Sequence, residues 1–123
     1  MDKIKCLDTY ILCEISKANV TFIKYLNEHC LINELTLTEF YSVVLREYNE
    51  QTAEYWLAKL TQYAKPVPLS ILIKAIKFKK ENNKRNLSFF DAVGYIFAKE
   101  QGYLFVTGDK EFEDFQGVEF VQK

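Results

Sequence analysis

Residues 86–112, N-L-S-F-F-D-A-V-G-Y-I-F-A-K-E-Q-G-Y-L-F-V-T-G-D-K-E-F, constrain the fold more than any other part of the chain. Ser88 opens a helical pattern in which Phe90, Val93, Ile96 and Phe97 share one apolar stripe, so the spacing predicts a helix over 88–101. Gly102 is a helix stop. Tyr103, Leu104, Phe105 and Val106 form a short apolar run, as in a strand buried on both faces. Thr107-Gly108-Asp109 then ends the strand. Two carboxylates, Asp91 and Asp109, thus stand where a helix begins and where a strand ends. Open parallel sheets bind ligands at such places.

The remaining segments supply more strands and helices of the same kind. A short strand begins at residues 3–7 and ends on Asp8. Residues 9–12 enter a helix that Ser16 or Asn19 interrupts, and Asn19 caps a second pattern with Val20, Ile23 and Leu26 on one face, ending near His29. Cys30-Leu31-Ile32 reads as a second buried strand. Thr36-Leu37-Thr38-Glu39 opens a long helix, with Leu37, Phe40, Val44 and Tyr48, and also Tyr41 and Leu45, at helical spacing. A further helix over 50–63 turns Ala53, Trp56, Leu57 and Leu60 inward. Pro66 and Pro68 flank Val67, the centre of an expected brief edge strand. Residues 69–82 are helical, 82–86 form a polar turn, 110–112 a short turn or helix, and 118–121 a last strand. Strands separated by helical segments define an α/β layered sheet, mostly parallel. The two consecutive helices between 36 and 63 break strict alternation.

Length and composition set the outer bounds. A chain of 123 residues reads as a single domain spanning 1–123, of a size that buries about two-thirds of the surface exposed when unfolded. Its 49% apolar content and ten Phe suffice for a packed core, and its net charge of -1 argues neither for nor against a nucleic-acid partner. No apolar run approaches the roughly 18 residues of a membrane span. Met1-Asp2-Lys3 leads straight into a strand instead of a signal peptide. Cys6, Cys13 and Cys30 are odd in number and form no C-x-x-C pair, as expected of free thiols in a cytoplasmic protein. The one histidine, His29, lies at a helix end where a cation meets the dipole. A nucleophilic triad therefore has no base.

Four acids carry the candidate chemistry. Each has an ordinary structural role open to it. Thr36-x-x-Glu39 and Ser88-x-x-Asp91 both match a capping box; Asp109 can cap the short helix after it; Asp8 can close an Asx turn. Their joint placement points elsewhere. Asp8 and Asp109 end two strands that are neighbours in a doubly wound sheet, and Glu39 and Asp91 lie in first helical turns that approach the same edge. Two carboxylates about 5 Å apart, at an effective dielectric near 20, repel by roughly 3 kcal/mol. Such a pocket raises its own pKa values unless a divalent cation sits among the acids. All-oxygen donors suit Mg²⁺ or Mn²⁺ and argue against zinc. A hard cation held by carboxylates is the equipment of phosphodiester hydrolysis.

Together, the strand ending in Asp8-Thr9, the Thr36-x-x-Glu39 helix start, Phe90-Asp91-Ala92 and Thr107-x-Asp109-x-x-Phe112 resemble the PIN domain, and within it the VapC-type toxin ribonucleases. The resemblance spans essentially the whole chain and rests on the set of four in order. It implies an α/β/α sandwich around a four- or five-stranded parallel sheet, Mg²⁺/Mn²⁺-dependent endoribonuclease activity at Asp8, Glu39, Asp91 and Asp109, and a Thr107 placed to bond a carboxylate or a water. It also implies a homodimer and a small antitoxin that occupies the cleft. Tyr10 departs from the pattern, since the family often has Asn there. Lys74, Lys77, Lys79, Lys80, Lys84 and Arg85 put six of the sixteen basic residues into twelve positions leading to the Asp91 helix. Lys80, Lys84 and Arg85, with Arg46 on the Glu39 helix, are the expected RNA contacts. Three alternatives stand beside this reading: a PIN-like binding protein without turnover, a housekeeping RNA-processing nuclease, and a signalling receiver domain of similar size.

Overall fold

The protein is described by a computed structural model covering residues 3–123. Met1 and Asp2, and with them the expectation that the N-terminus runs directly into a strand, lie outside the described residues.

Five short strands, β1 (Lys5–Leu7), β2 (Cys30–Asn33), β3 (Ala64–Lys65), β4 (Leu104–Thr107) and β5 (Val118–Phe120), pair in the order β3-β2-β1-β4-β5. Every pairing is parallel. The helices are α1 (Thr9–Ser16), α2 (Val20–Ile23), α3 (Glu34–Glu47), α4 (Glu50–Leu60), α5 (Leu69–Glu81) and α6 (Phe89–Gln101). Alternation along each strand assigns side chains to opposite faces. Cys6, Leu31 and Phe105 pack with α5 and α6, whereas Leu7, Ile32 and Val106 pack with α1 to α4. The expected α/β/α sandwich is therefore the observed one.

The chain runs outward from β1 through β2 to β3, then returns to place β4 on the other side of β1. The crevice at the carboxyl ends of β1 and β4 is thus the topological switch point, where parallel sheets of this kind bind ligands. Asp8 extends the β1–β4 pairing by one bond, its N–H donating to the Val106 carbonyl at 3.1 Å.

Three local expectations need correction. The long helix does not open at Thr36. Asn33 is its cap, accepting from the Thr36 N–H at 2.8 Å, so α3 starts two residues earlier and Glu39 falls in its second turn. The edge strand is Ala64–Lys65 and not Val67, because Pro66 has no N–H with which to continue the ladder. On α6, Val93, Ile96 and Phe97 are buried as expected, but Phe90 is only half-buried; Trp56 and Leu57 on α4 are likewise half-buried.

Candidate acidic site

The four acids arrive from four separate segments. Asp8 ends β1 and caps α1, its Oδ1 accepting from the Ile11 N–H at 3.2 Å. It is only 8% exposed. Its other oxygen accepts from the Thr107 hydroxyl, and Thr107 Oγ1 in turn accepts from the Asp109 N–H at 3.0 Å. One threonine at the end of β4 thereby ties the two strand-end acids together. Asp109 caps the 3-10 turn Lys110–Phe112 through Glu111.

Glu39 is fixed from α1, where the Thr9 hydroxyl donates to Oε1 at 2.5 Å. Asp91 completes the capping box expected of it: its Oδ2 accepts from the Ser88 N–H at 2.9 Å while Ser88 Oγ accepts from the Asp91 N–H at 3.1 Å. The structural and the functional readings of Asp91 are not exclusive. A cap uses one carboxylate oxygen and leaves the other.

Electrostatics show that the acids sense one another. Burial pushes the Asp8 carboxyl up to about 7, against the opposing pull of the Thr107 and Ile11 hydrogen bonds, and the charges of Asp91 and Asp109 add to the rise. Burial also raises Glu39, with Thr9 opposing and the charge of Asp91 contributing. Asp91 is raised by burial, held back by its bonds to Ser88, and raised further by Asp109. Asp8, Glu39 and Asp91 are thus shifted in the direction that disfavours uncompensated negative charge.

Among the described residues, no three His, Cys, Asp or Glu side chains close around a single point as a metal cage would. Each carboxylate instead accepts from a nearby donor: Asp8 from Ile11 and Thr107, Glu39 from Thr9, Asp91 from Ser88 and Asp109 from Glu111. Glu39 Oε2, Asp91 Oδ1 and Asp109 Oδ2 take part in none of these hydrogen bonds. An all-oxygen donor set with three spare carboxylate oxygens fits a hard divalent cation.

The basic residues behave less uniformly. Lys80 and Lys84 are exposed. Lys80 lines a surface pocket of about 320 Å³ with Ile76, Lys79, Asn83, Arg85 and Phe89. Arg85 is committed elsewhere: it pairs with Asp114, donates to the Glu111 carbonyl at 2.7 Å, and lies 4.3 Å from the Phe115 ring centroid. Arg46 is exposed beside Glu47, about 10 Å along α3 from Glu39 at 1.5 Å per residue. Two site-building residues lay outside the expected set, Thr9 and Asn33. Thr9 follows Asp8 directly. Asn33, three residues before Thr36, carries the N-cap signal.

A parallel α/β/α sheet with acids at its switch point defines the class of protein. A family model described as the PIN domain matches residues 5–118, and the chain belongs to that family. A search of curated protein sequences finds no significant match. Among solved structures, the fold is similar to VapC20 of Mycobacterium tuberculosis, a sarcin-ricin loop cleaving toxin, with TM-score 0.78 and 16% identity over 97% of this chain and 98% of that one. It is similar to VapBC2 of Rickettsia felis, solved with a DNA fragment from its promoter, at TM-score 0.78 and 16% identity over 97% and 99% of the two chains. A toxin-antitoxin complex from Klebsiella pneumoniae gives TM-score 0.73 and 18% identity over 94% and 95%. The receiver alternative fails on topology, because that fold orders its strands 2-1-3-4-5 and this sheet runs 3-2-1-4-5.

Proposed function

We propose that this chain is a Mg²⁺/Mn²⁺-dependent endoribonuclease, the toxin of a toxin–antitoxin pair. What supports the reading is that Asp8 and Asp109 follow the two strands that flank the sheet's switch point, and that the charge of Asp91 contributes to the raised carboxyls of Asp8 and Glu39 and the charge of Asp109 to those of Asp8 and Asp91. A cation among them would supply Lewis-acid activation of water and neutralise charge on the scissile phosphate. The chain's own residues do the rest. Thr107 and Thr9 fix the carboxylates of Asp8 and Glu39, and Ser88 holds Asp91 in the first turn of α6.

RNA reaches a negative pocket only with cationic help. Lys80 and Lys84, on the segment leading into α6, are the residues we assign to that task; Arg46 is a more distant contact, and Arg85 shapes the segment through Asp114. Likeness of fold to VapC20 and to the toxin–antitoxin complexes supports the toxin role, and with it we propose a small antitoxin partner and a homodimer. Among the described residues no helix is long and apolar enough to cross a membrane, and we assign the proposed activity to the cytoplasm.

The test is RNA cleavage by the purified protein with Mn²⁺, with chelator, and in Asp91→Asn. Cleavage that needs the cation and is lost in the variant supports the reading. Metal-independent cleavage, or cleavage retained in Asp91→Asn, refutes it. Growth arrest on expression without a partner, relieved by a neighbouring small protein, tests the toxin role separately. Mn²⁺ that stabilises the protein while no RNA is cut would favour the binding protein without turnover.

A further inference from the structure

Tyr10 and Gly108 meet across the gap between the strand ends that carry Asp8 and Asp109. A methyl group added at Gly108 would lie 2.2 Å from Cε1 of Tyr10 and 2.5 Å from both Cδ1 and Cζ. The glycine is there for space and not for backbone freedom: the glycines with positive φ among the described residues are Gly102 and Gly117. The ring is restrained on its other sides. Phe22 lies 6.1 Å away between centroids, and the Tyr10 hydroxyl accepts from the Lys123 N–H at 3.3 Å.

Residues 121–123 close the arrangement. The Val121 N–H donates to the Thr107 carbonyl at 2.9 Å, and Gln122 Nε2 donates to the Gly108 carbonyl at 2.9 Å. Lys123 Nζ lies 3.7 Å from the buried Glu14 of α1. The turn between Thr107 and Asp109 is therefore gripped between the first turn of α1 and the residues after β5. Any displacement of Gly108 moves both Thr107 Oγ1, which bonds Asp8, and the Asp109 N–H, which bonds Thr107.

We propose that Tyr10, seated on Gly108 and closed over by residues 121–123, is a positioning residue that sets the separation of Asp8 and Asp109 and thereby the cation affinity of the pocket. The proposal rests on reading that pocket as a cation site. Tyr10 acts through the Gly108 turn and not by touching substrate.

The experiment measures Mn²⁺ binding by titration calorimetry, without RNA, in the wild type, Gly108→Ala, Tyr10→Ala, the double variant and Gln122→Ala, with thermal unfolding of each. Gly108→Ala should weaken Mn²⁺ about tenfold, the range seen when groups behind metal ligands are removed. The double variant should bind no more weakly than Tyr10→Ala alone, because the ring that the methyl strikes is gone; independent defects would add instead. Gln122→Ala removes one part-buried bond to the Gly108 carbonyl, should weaken Mn²⁺ in the same direction, and carries the test if Gly108→Ala does not fold. Wild-type Mn²⁺ affinity in Gly108→Ala and Gln122→Ala, alongside a lowered melting temperature, overturns the proposal and leaves the contact purely structural. A wild-type protein that takes up no Mn²⁺ overturns the cation reading of the pocket itself, and this proposal with it.

Discussion

Asp8→Asn should make the metal-free protein more stable at pH 8, although it removes the most deeply placed acid of the site. A carboxyl whose ordinary value is 3.8 and which burial pushes up to about 7 binds its proton more tightly when folded. Its contribution to stability is therefore fully present below pH 4 and is lost as pH rises through 7. At about 1.4 kcal/mol for each tenfold, the ionised form costs about 4 kcal/mol relative to the unfolded chain. Asn retains the oxygen that caps α1 but loses the charged acceptor for the Thr107 hydroxyl, a loss of about 1–2 kcal/mol. The net gain at pH 8 is about 2–3 kcal/mol, or on the order of 10 °C in a chain of this length. At pH 4 Asp8 is protonated in the folded wild type, and the advantage should vanish. Mn²⁺ at about a hundred times its dissociation constant should then return about 2.7 kcal/mol to the wild type by mass action and little to the variant. Thermal unfolding at pH 4 and pH 8, with and without Mn²⁺, reads all four conditions. A variant less stable than wild type at both pH values in the absence of metal would refute the claim that ionised Asp8 is under electrostatic strain. Equal stabilisation of both proteins by Mn²⁺ would remove Asp8 from the cation site.

Other perturbations separate the roles of neighbouring groups. Thr107→Val strips the hydroxyl that joins Asp8 to the Asp109 N–H and should cost about 1–3 kcal/mol in urea unfolding, the range for leaving buried polar groups unpaired. Ser88→Ala removes the α6 cap and should cost about 1 kcal/mol, while Mn²⁺ binding, measured by calorimetry, persists because Asp91 keeps its free oxygen. Arg85→Ala breaks the Asp114 pair and the packing on Phe115; the melting temperature should fall while the salt dependence of RNA binding stays as in wild type. Lys80→Ala with Lys84→Ala should do the reverse, lowering the slope of log affinity against log salt by about 0.7 for each phosphate that is no longer neutralised.

Much of the fold was legible because long periodic segments leave few choices. The Gly102 stop and the Val93, Ile96 and Phe97 part of the α6 stripe fall where their spacing puts them, while β4 runs one residue later than the apolar run, over Leu104–Thr107. Glu39 falls one turn later than its motif predicts because two caps compete in N-E-L-T-L-T-E. Thr36-x-x-Glu39 has the form of a capping box, but Asn33 at the end of β2 reaches the Thr36 N–H first. A two-residue strand such as β3 has no period to read. Arg85 looked like part of a free basic run because its partner Asp114 lies 29 residues away, a separation that no local pattern encodes. The site itself was legible only as a set: Asp91 alone is a helix cap, and the structure realises that cap in full. What the residues could not reveal was the grip of Tyr10 on Gly108, which joins two distant parts of the chain and depends on packing and not on motif.

The bond from Thr107 to Asp8 spans 99 residues, and the strand pairing beside it is equally long in sequence. Contacts of such separation form late, after the entropy of closing a long loop has been overcome. During synthesis the first strand must therefore wait for nearly all of the remaining chain before its acid meets its partner. A growing polypeptide that exposes Asp8, Glu39 and even Asp91 still lacks Thr107, which bonds Asp8, and the fourth acid, Asp109. For a chain proposed to cut RNA, and made on a machine built largely of RNA, the late arrival of β4 is a safeguard of topology: the acidic pocket does not assemble until the turn that follows β4 is free to fold.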